Sequence, residues 1–189
     1  MTTILVTEDN EMLCDSQATS GDFIISYEFD KVENINGNLV GIAGKYSSCM
    51  AFKDWFASIS ETQSAISEYP NANVVVVEPE EDEQFDALIL SPDGILTMFE
   101  GSSAAYEVSA PYAIGSGGIY ALSALDGGAN GKTAMEVAIK RDIYTGGEIK
   151  VHTLEQEEGL TKEDLEGLTK DEIISTLFGE EGDIPSQEG

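Results

Sequence analysis

The sequence predicts an α+β fold in which sheets and helices segregate into layers. Three observations predict it. Strand-like runs and helix-like runs come in groups, in the order strands, helix, strands, two helices, strand, instead of alternating as in a parallel βαβ sheet. A stretch near residue 50 repeats apolar residues at three- and four-residue steps, the mark of a helix with one buried face. The 189 residues, 41% hydrophobic, suit one domain with a sizeable core.

Each element has a local reason. Residues 2–8 (TTILVTE) and 11–15 (EMLCD) are short apolar strands around a turn at Asp9-Asn10. SGDFIISYEF and GNLVGIAGK supply strands over 22–29 and 38–44. The helix follows, with Met50, Phe52, Trp55, Phe56, Ile59 and Ile66 on its apolar face. NVVVVEP is a buried strand and EEDEQ an acidic loop. FDALILSPDGILTMFEG is a hairpin turning at Ser91-Pro92-Asp93-Gly94. After YAIGSGG, IYALSALDG is helical and ends at Gly127-Gly128. KTAMEVAIKRDIY is a second helix, stopped by Gly146-Gly147, and EIKVHTL is the last strand. The predicted boundaries are a domain over 1–154 and an acidic C-terminal tail over 155–189. In the tail, Thr161 and Thr169 fit helix N-caps for one or two short helices. A solvated tail and a docking segment both fit that composition; the second helix carries Ile173, Ile174, Leu177 and Phe178.

Composition excludes several classes of function. No apolar run approaches the ~20 residues of a membrane span, and the first residues lack a basic and a long apolar region, so a cytoplasmic protein is expected. Nine basic against 36 acidic residues give a net charge of −27, a surface that repels nucleic acid and anionic membranes. The excess is spread along the chain, as in a protein made for molar salt, where screening shortens to ~3 Å. That points to a halophile or its virus. Cys14 and Cys49 each sit in or beside an apolar stretch, which suits buried thiols. Two cysteines and one histidine, widely spaced, count against a zinc site; no metal and no cofactor are expected.

The chemistry narrows by elimination. His152, the only histidine, lies on a strand, where a satisfied or exposed ring is commoner than a general base. Serine–histidine and cysteine–histidine schemes are therefore weak. DGGANGKT (Asp126 to Thr133) ends like a phosphate-binding loop but has Asp126 where glycine is needed, and a helix where a strand should precede it. It also misses a calcium loop, since Gly128 and Val137 stand at ligand positions. The remaining route is the chain's own start. Small polar residues are common at translation starts, so Thr2-Thr3 carries no message alone. If Met1 is removed, however, Thr2 bears a hydroxyl and an α-amine on one residue. That amine, with a pKa near ~7.7–8.0, can accept a proton near neutrality. Such a site needs a cation, a carboxylate to orient it and backbone amides for an oxyanion. Lys31 after ISYEFD, Asp15 at the end of the second strand and the IAGK turn before the long helix are the available pieces.

At these residues the chain resembles the proteasome β-type subunits, close to the bacterial HslV-type peptidase, over about residues 2–153. TTILV is similar to the family's Thr-Thr start. CDSQAT resembles its Asp-x-Gln-Ala-Thr segment, which makes Asp15 the family aspartate. FDKVENI makes Lys31 the family lysine, and GIAGKYSS makes Gly44 the oxyanion glycine. YAIGSGGIYALSAL resembles the Gly-Ser-Gly-Gly segment and places Ser116 beside the nucleophile. RDIYTGG resembles Asp-x-x-Ser-Gly-Gly, with Asp142 carried over and Thr145 replacing serine. Each motif alone is weak; six in the right order are not.

The resemblance implies a four-layer αββα sandwich of the N-terminal-nucleophile (Ntn) hydrolase class. It implies a threonine endopeptidase with the catalytic set Thr2, Asp15, Lys31, Gly44, Ser116, Asp142 and Thr145. It also implies stacked homo-oligomeric rings, hexameric or heptameric, that act on unfolded proteins fed by an ATP-dependent unfoldase. Three departures from the family stand out: no propeptide beyond Met1, the acidic tail and the extreme acidity. Maturation is then expected to rely on methionine aminopeptidase, and a retained Met1 would block the amine. The alternative is a catalytically silent ring or shell protein of the same fold. Asp15 and Lys31 would then be an ordinary ion pair.

Overall fold

The computed structural model describes residues 2–21, 23–58, 85–101 and 104–154, all within one compact unit, Met1–Leu154. The predicted strand NVVVVEP, the acidic loop, Ile59, Ile66 and the tail helices lie outside the described residues. Two antiparallel sheets form the centre. The first joins β1 (Thr3–Val6), β2 (Glu11–Asp15), β10 (Tyr112–Gly115) and β11 (Ile149–Thr153) in the order β10-β1-β2-β11. The second runs in sequence order through β5 (Val32–Ile35), β6 (Asn38–Gly44), β7 (Phe85–Leu90), β8 (Leu96–Glu100) and β9 (Ala104–Val108). A separate ribbon pairs β3 (Ala18–Ser20) with β4 (Phe23–Ser26). The helices are α1 (Tyr46–Ser58), α2 (Gly118–Asp126) and α3 (Gly131–Arg141).

The period-2 alternation of strand side chains sorts these elements into four layers. Ile4, Val6, Met12 and Cys14 of the first sheet meet Leu39, Ala43, Leu88, Leu90, Leu96 and Met98 of the second in one buried cluster. The opposite face of the first sheet presents Leu5 and Leu13 to Ala121 of α2 and to Ala134, Met135 and Ala138 of α3. The outer face of the second sheet presents Val40, Ile42, Phe85, Ala87, Ile89 and Phe99 to Phe52 and Phe56 of α1. The arrangement is helix, sheet, sheet, helix, as the resemblance implied. The sheets approach closely at Gly41, where an added Cβ would lie 2.9 Å from Met12 Sδ and 3.0 Å from Ile4 Cγ2.

Boundaries differ from the expected ones in instructive ways. The hairpin turns as expected, with the Gly94 amide donating to the Ser91 carbonyl at 2.9 Å. β3, β5, β9 and β10 were not anticipated. They are three to five residues long, and VENI and AAYEV mix charge into their alternation. α3 begins where Asn130 caps it, its side chain accepting from the Thr133 amide at 2.9 Å. The element ahead of it is the helix α2, where a phosphate loop needs a strand. α3 ends at Arg141, short of the expected Gly146, and Asp142 already has extended backbone. No helix among the described residues is long and apolar enough to cross a membrane.

Candidate active site

β1 places two threonines in different surroundings. In the β1–β10 ladder Thr3 pairs with Gly115, whose φ is +85°; an added Cβ there would lie 1.8 Å from the Thr2 carbonyl oxygen. Only glycine allows this approach, and it fixes the chain start against the first sheet. The Thr3 side chain then points into a largely buried network. Thr145 Oγ1 donates to Asp142 Oδ2, so its proton is committed. The 2.6 Å contact between Thr3 Oγ1 and Thr145 Oγ1 must therefore be a donation by Thr3. Thr3 Oγ1 in turn accepts from the Gly117 amide at 3.1 Å. Ser116 Oγ donates to the same Asp142 oxygen at 2.6 Å. Burial alone would raise the Asp142 carboxyl, but the Ser116 and Thr145 hydroxyls and the Tyr144 amide together hold it below the usual carboxylate range.

A second network lies around Asp15 at the end of β2. Asp15 and Lys31 are both buried, and Lys31 Nζ donates to Asp15 Oδ1 at 2.6 Å. The same oxygen accepts the Thr3 amide at 2.8 Å. The other oxygen accepts the amides of Gly146 at 3.0 Å and Gln17 at 3.3 Å. These four donors fix the position of the carboxylate, which in turn orients one ammonium. Burial pulls the Lys31 ammonium below its ordinary 10.5, and the Asp15 charge and hydrogen bond oppose that pull.

Between these networks and α1 opens a cavity of about 370 Å³. Thr2, Lys31 and Gly44 all line it, with Ile42, Tyr46 and Met50 among the other walls. Gly44 ends β6 with φ +149°, a conformation that favours glycine, and lies just ahead of α1. Cys49 also faces the cavity, but burial pushes its thiol up to about 11. It is a protonated, weakly nucleophilic wall at neutral pH. Thr2 shares the cavity with Lys31, as do the hydroxyl-bearing Thr19, Ser26 and Tyr46.

No family model matches the sequence, and no curated protein does. Solved structures do match. BPH from Thiobacillus denitrificans in complex with epoxomicin superposes with a TM-score of 0.63 at 21% identity, over 82% of this chain and 99% of that one. Another structure of the same BPH gives 0.59 at 19%, over 82% and 98%. Eukaryotic HslV from Trypanosoma brucei gives 0.59 at 18%, over 80% and 98%. The chain has the HslV-type, proteasome-like Ntn-hydrolase fold.

Within this HslV-type fold, the seven residues singled out in the sequence fall into contiguous groups. Thr2, Lys31 and Gly44 share the cavity, and Asp15 stands behind Lys31. Ser116, Asp142 and Thr145 form the neighbouring network, joined to the first through Thr3. Three contributors were missed. Thr3 links both carboxylates, Gly146 donates its amide to Asp15, and Gln17 ties the loop after β2 to the Ile143 carbonyl at 3.2 Å. Gly146 was legible as a helix stop and as a glycine of the RDIYTGG segment, but not as a donor, because a backbone amide leaves no side-chain signature. An added Cβ at Gly146 would lie 2.3 Å from Gln17 Oε1, so the same residue also permits the close packing.

Proposed function

We propose that the chain is a threonine-type endopeptidase subunit of a self-compartmentalised ring protease, with Thr2 as nucleophile once Met1 is removed. One observation carries this reading: Thr2 and Lys31 line the same cavity, while the Thr3 hydroxyl proton is committed to Thr145 and, through it, to Asp142. In the proposed reaction Thr2 Oγ1 attacks the peptide carbonyl carbon and its proton passes to the Thr2 α-amine. The Lys31 ammonium favours the ionised hydroxyl, and the Gly44 amide donates a hydrogen bond to the oxyanion. Collapse breaks the C–N bond, the α-amine returns the proton to the leaving amine, and an ester on Thr2 remains. Water, deprotonated by the same amine, then hydrolyses that ester. Asp15 orients Lys31, and Ser116, Asp142 and Thr145 hold the surroundings of the amine.

The similarity to HslV and BPH extends the proposal to stacked homo-oligomeric rings, hexameric or heptameric, in a cytoplasm, supplied with unfolded chains by an ATP-dependent unfoldase. An epoxyketone tests the centre of it, since epoxomicin occupies BPH. Intact mass should show a chain without Met1 that gains one inhibitor, and Thr2→Ala should gain none. Retained Met1 with no labelling, even in molar salt, would leave the silent ring or shell component instead.

A further inference from the structure

Away from the cavity, three residue types suited to metal binding converge at the edge of the first sheet. In the β2–β11 ladder Cys14 pairs with Lys150 and Met12 with His152. Partners across a ladder share a face, so Cys14 and His152 are diagonal neighbours on the side facing the second sheet. Asp30, just before β5, closes the group. Cys14 Sγ lies 3.7 Å from Asp30 Oδ1, and His152 Nε2 lies 3.1 Å from the same oxygen. The three donor atoms all fall within 4.8 Å of one another.

We propose that Cys14 Sγ, Asp30 Oδ1 and His152 Nε2 form a zinc-binding site, with water as the fourth ligand.

Geometry supports the proposal. Tetrahedral zinc, with bonds of about 2.0–2.3 Å, separates its donors by roughly 3.3–3.8 Å. The two separations from Asp30 Oδ1, 3.1 and 3.7 Å, are already close to that range. His152 supplies an independent sign. Its Nε2 is buried and makes no hydrogen bond, because the nearby Asp30 oxygen lacks the alignment of one. The atom stands at ion-pair distance from Asp30 Oδ1, yet its hydrogen-bonding capacity is unmet, and a metal between the two would satisfy both. The donor set is soft and borderline, which disfavours calcium and magnesium, cations that take oxygen ligands. Access exists as well: the Asp30 and His152 side chains are 42% and 23% exposed, so an ion can enter over them to the buried thiol. Three groups oppose binding. Burial pushes the Cys14 thiol up to about 12, so the metal must displace its proton. The Val32 amide already donates to Asp30 Oδ1 at 3.2 Å, which leaves that oxygen one lone pair for the ion. Lys150 Nζ stands 3.3 Å from Asp30 Oδ2, the oxygen that the zinc does not need. The count of two cysteines and one histidine argued against zinc only while residues 14, 30 and 152 were far apart along the chain.

The site also has a bearing on the cavity. Cys14 immediately precedes Asp15, and Asp30 immediately precedes Lys31. A zinc ion would clamp together the two segments that deliver the buried ion pair, without touching it. The proposal stands independently of the peptidase reading.

Cobalt(II) titration of the reduced, metal-free full chain tests it. A near-ultraviolet thiolate-to-cobalt band and strong tetrahedral visible bands should saturate at one equivalent per chain, then bleach on addition of zinc. Cys14→Ser should lose the near-ultraviolet band, and Asp30→Asn and His152→Gln should each weaken binding by more than about tenfold. Cys49→Ser should bind normally. Zinc should raise the thermal midpoint of the native chain and of Cys49→Ser. If Cys14→Ser does not fold, Asp30→Asn and His152→Gln carry the test. Cobalt bound without a thiolate band, through the many carboxylates alone, would overturn the proposal. So would binding unchanged in His152→Gln and Asp30→Asn.

Discussion

Two adjacent threonines carry opposite duties because of where their protons go. The order Gly117 N–H, Thr3 hydroxyl, Thr145 hydroxyl, Asp142 carboxylate has one consistent direction. Thr145→Ser keeps that direction and should fold with near-native stability. Thr145→Val leaves Thr3 with no acceptor and Asp142 with one hydroxyl fewer. The loss of a hydrogen bond to a charged group should cost about 1.5–3 kcal/mol in urea denaturation. Equal stability of the two variants would refute the directed network. The catalytic proposal adds a pH dependence. The Thr2 amine accepts a proton only when neutral, so kcat/KM should rise as pH passes about 7.7–8.0, its ordinary range. Lys31 must stay charged, and burial lowers its pKa below 10.5. Activity should therefore fall again as pH rises through that lowered value. The resulting bell has its alkaline limb below the ordinary lysine range, and a profile that stays flat to 10.5 would remove Lys31 from the mechanism.

At the scale of elements, α1 does two jobs with two faces. Phe52 centres an aromatic cluster, 5.1 Å from Phe99, 5.2 Å from Phe85 and 5.4 Å from Trp55 by ring centroids. Tyr46, Cys49, Met50 and Lys53 turn instead to the cavity. Phe52→Ala should cost about 3–5 kcal/mol of unfolding free energy, as large-to-small changes in packed cores do. Met50→Ala, partly exposed, should cost well under about 1 kcal/mol and show itself in substrate preference. Comparable losses would mean that the faces are misassigned. The helical period announced α1 but could not separate its faces, since Met50 and Phe52 both counted as apolar. The β7–β8 hairpin was legible because Ser-Pro-Asp-Gly encodes its turn locally. β5 and β9 were not, because their place is set by neighbouring strands and not by their own sequence. The site divides the same way. Asp15, Lys31, Ser116 and Asp142 could be matched to motifs by side chain. Thr3, Gly117 and Gly146 act through buried contacts and amides, which only the fold assembles. The grouping of Cys14 with His152 depends on the β2–β11 register, which no local pattern reports.

At the scale of the whole molecule, a net charge of −27 makes self-repulsion the electrostatic effect to test. The −27 charge belongs to the body as well as to the tail: residues 1–154 hold 24 acidic against seven basic residues. Few cations are available to offset it. The Lys53–Glu33 and Lys150–Asp30 pairs are at least partly exposed, and such pairs contribute about 1 kcal/mol or less. Their loss to screening is therefore small. The buried Asp15–Lys31 pair is shielded from salt by its burial. Screening consequently removes more repulsion than attraction as the Debye length falls from about 10 Å at 0.1 M to about 3 Å at 1 M. The thermal midpoint, measured at fixed protein concentration in potassium chloride, should climb steeply over that interval and then level off. Levelling separates screening from the continued rise that preferential exclusion of a salt such as sulfate would give. A midpoint that is flat or falling between about 0.1 and 1 M would show that the acidic surface is not what limits this fold, and that its charge serves some purpose other than life in brine.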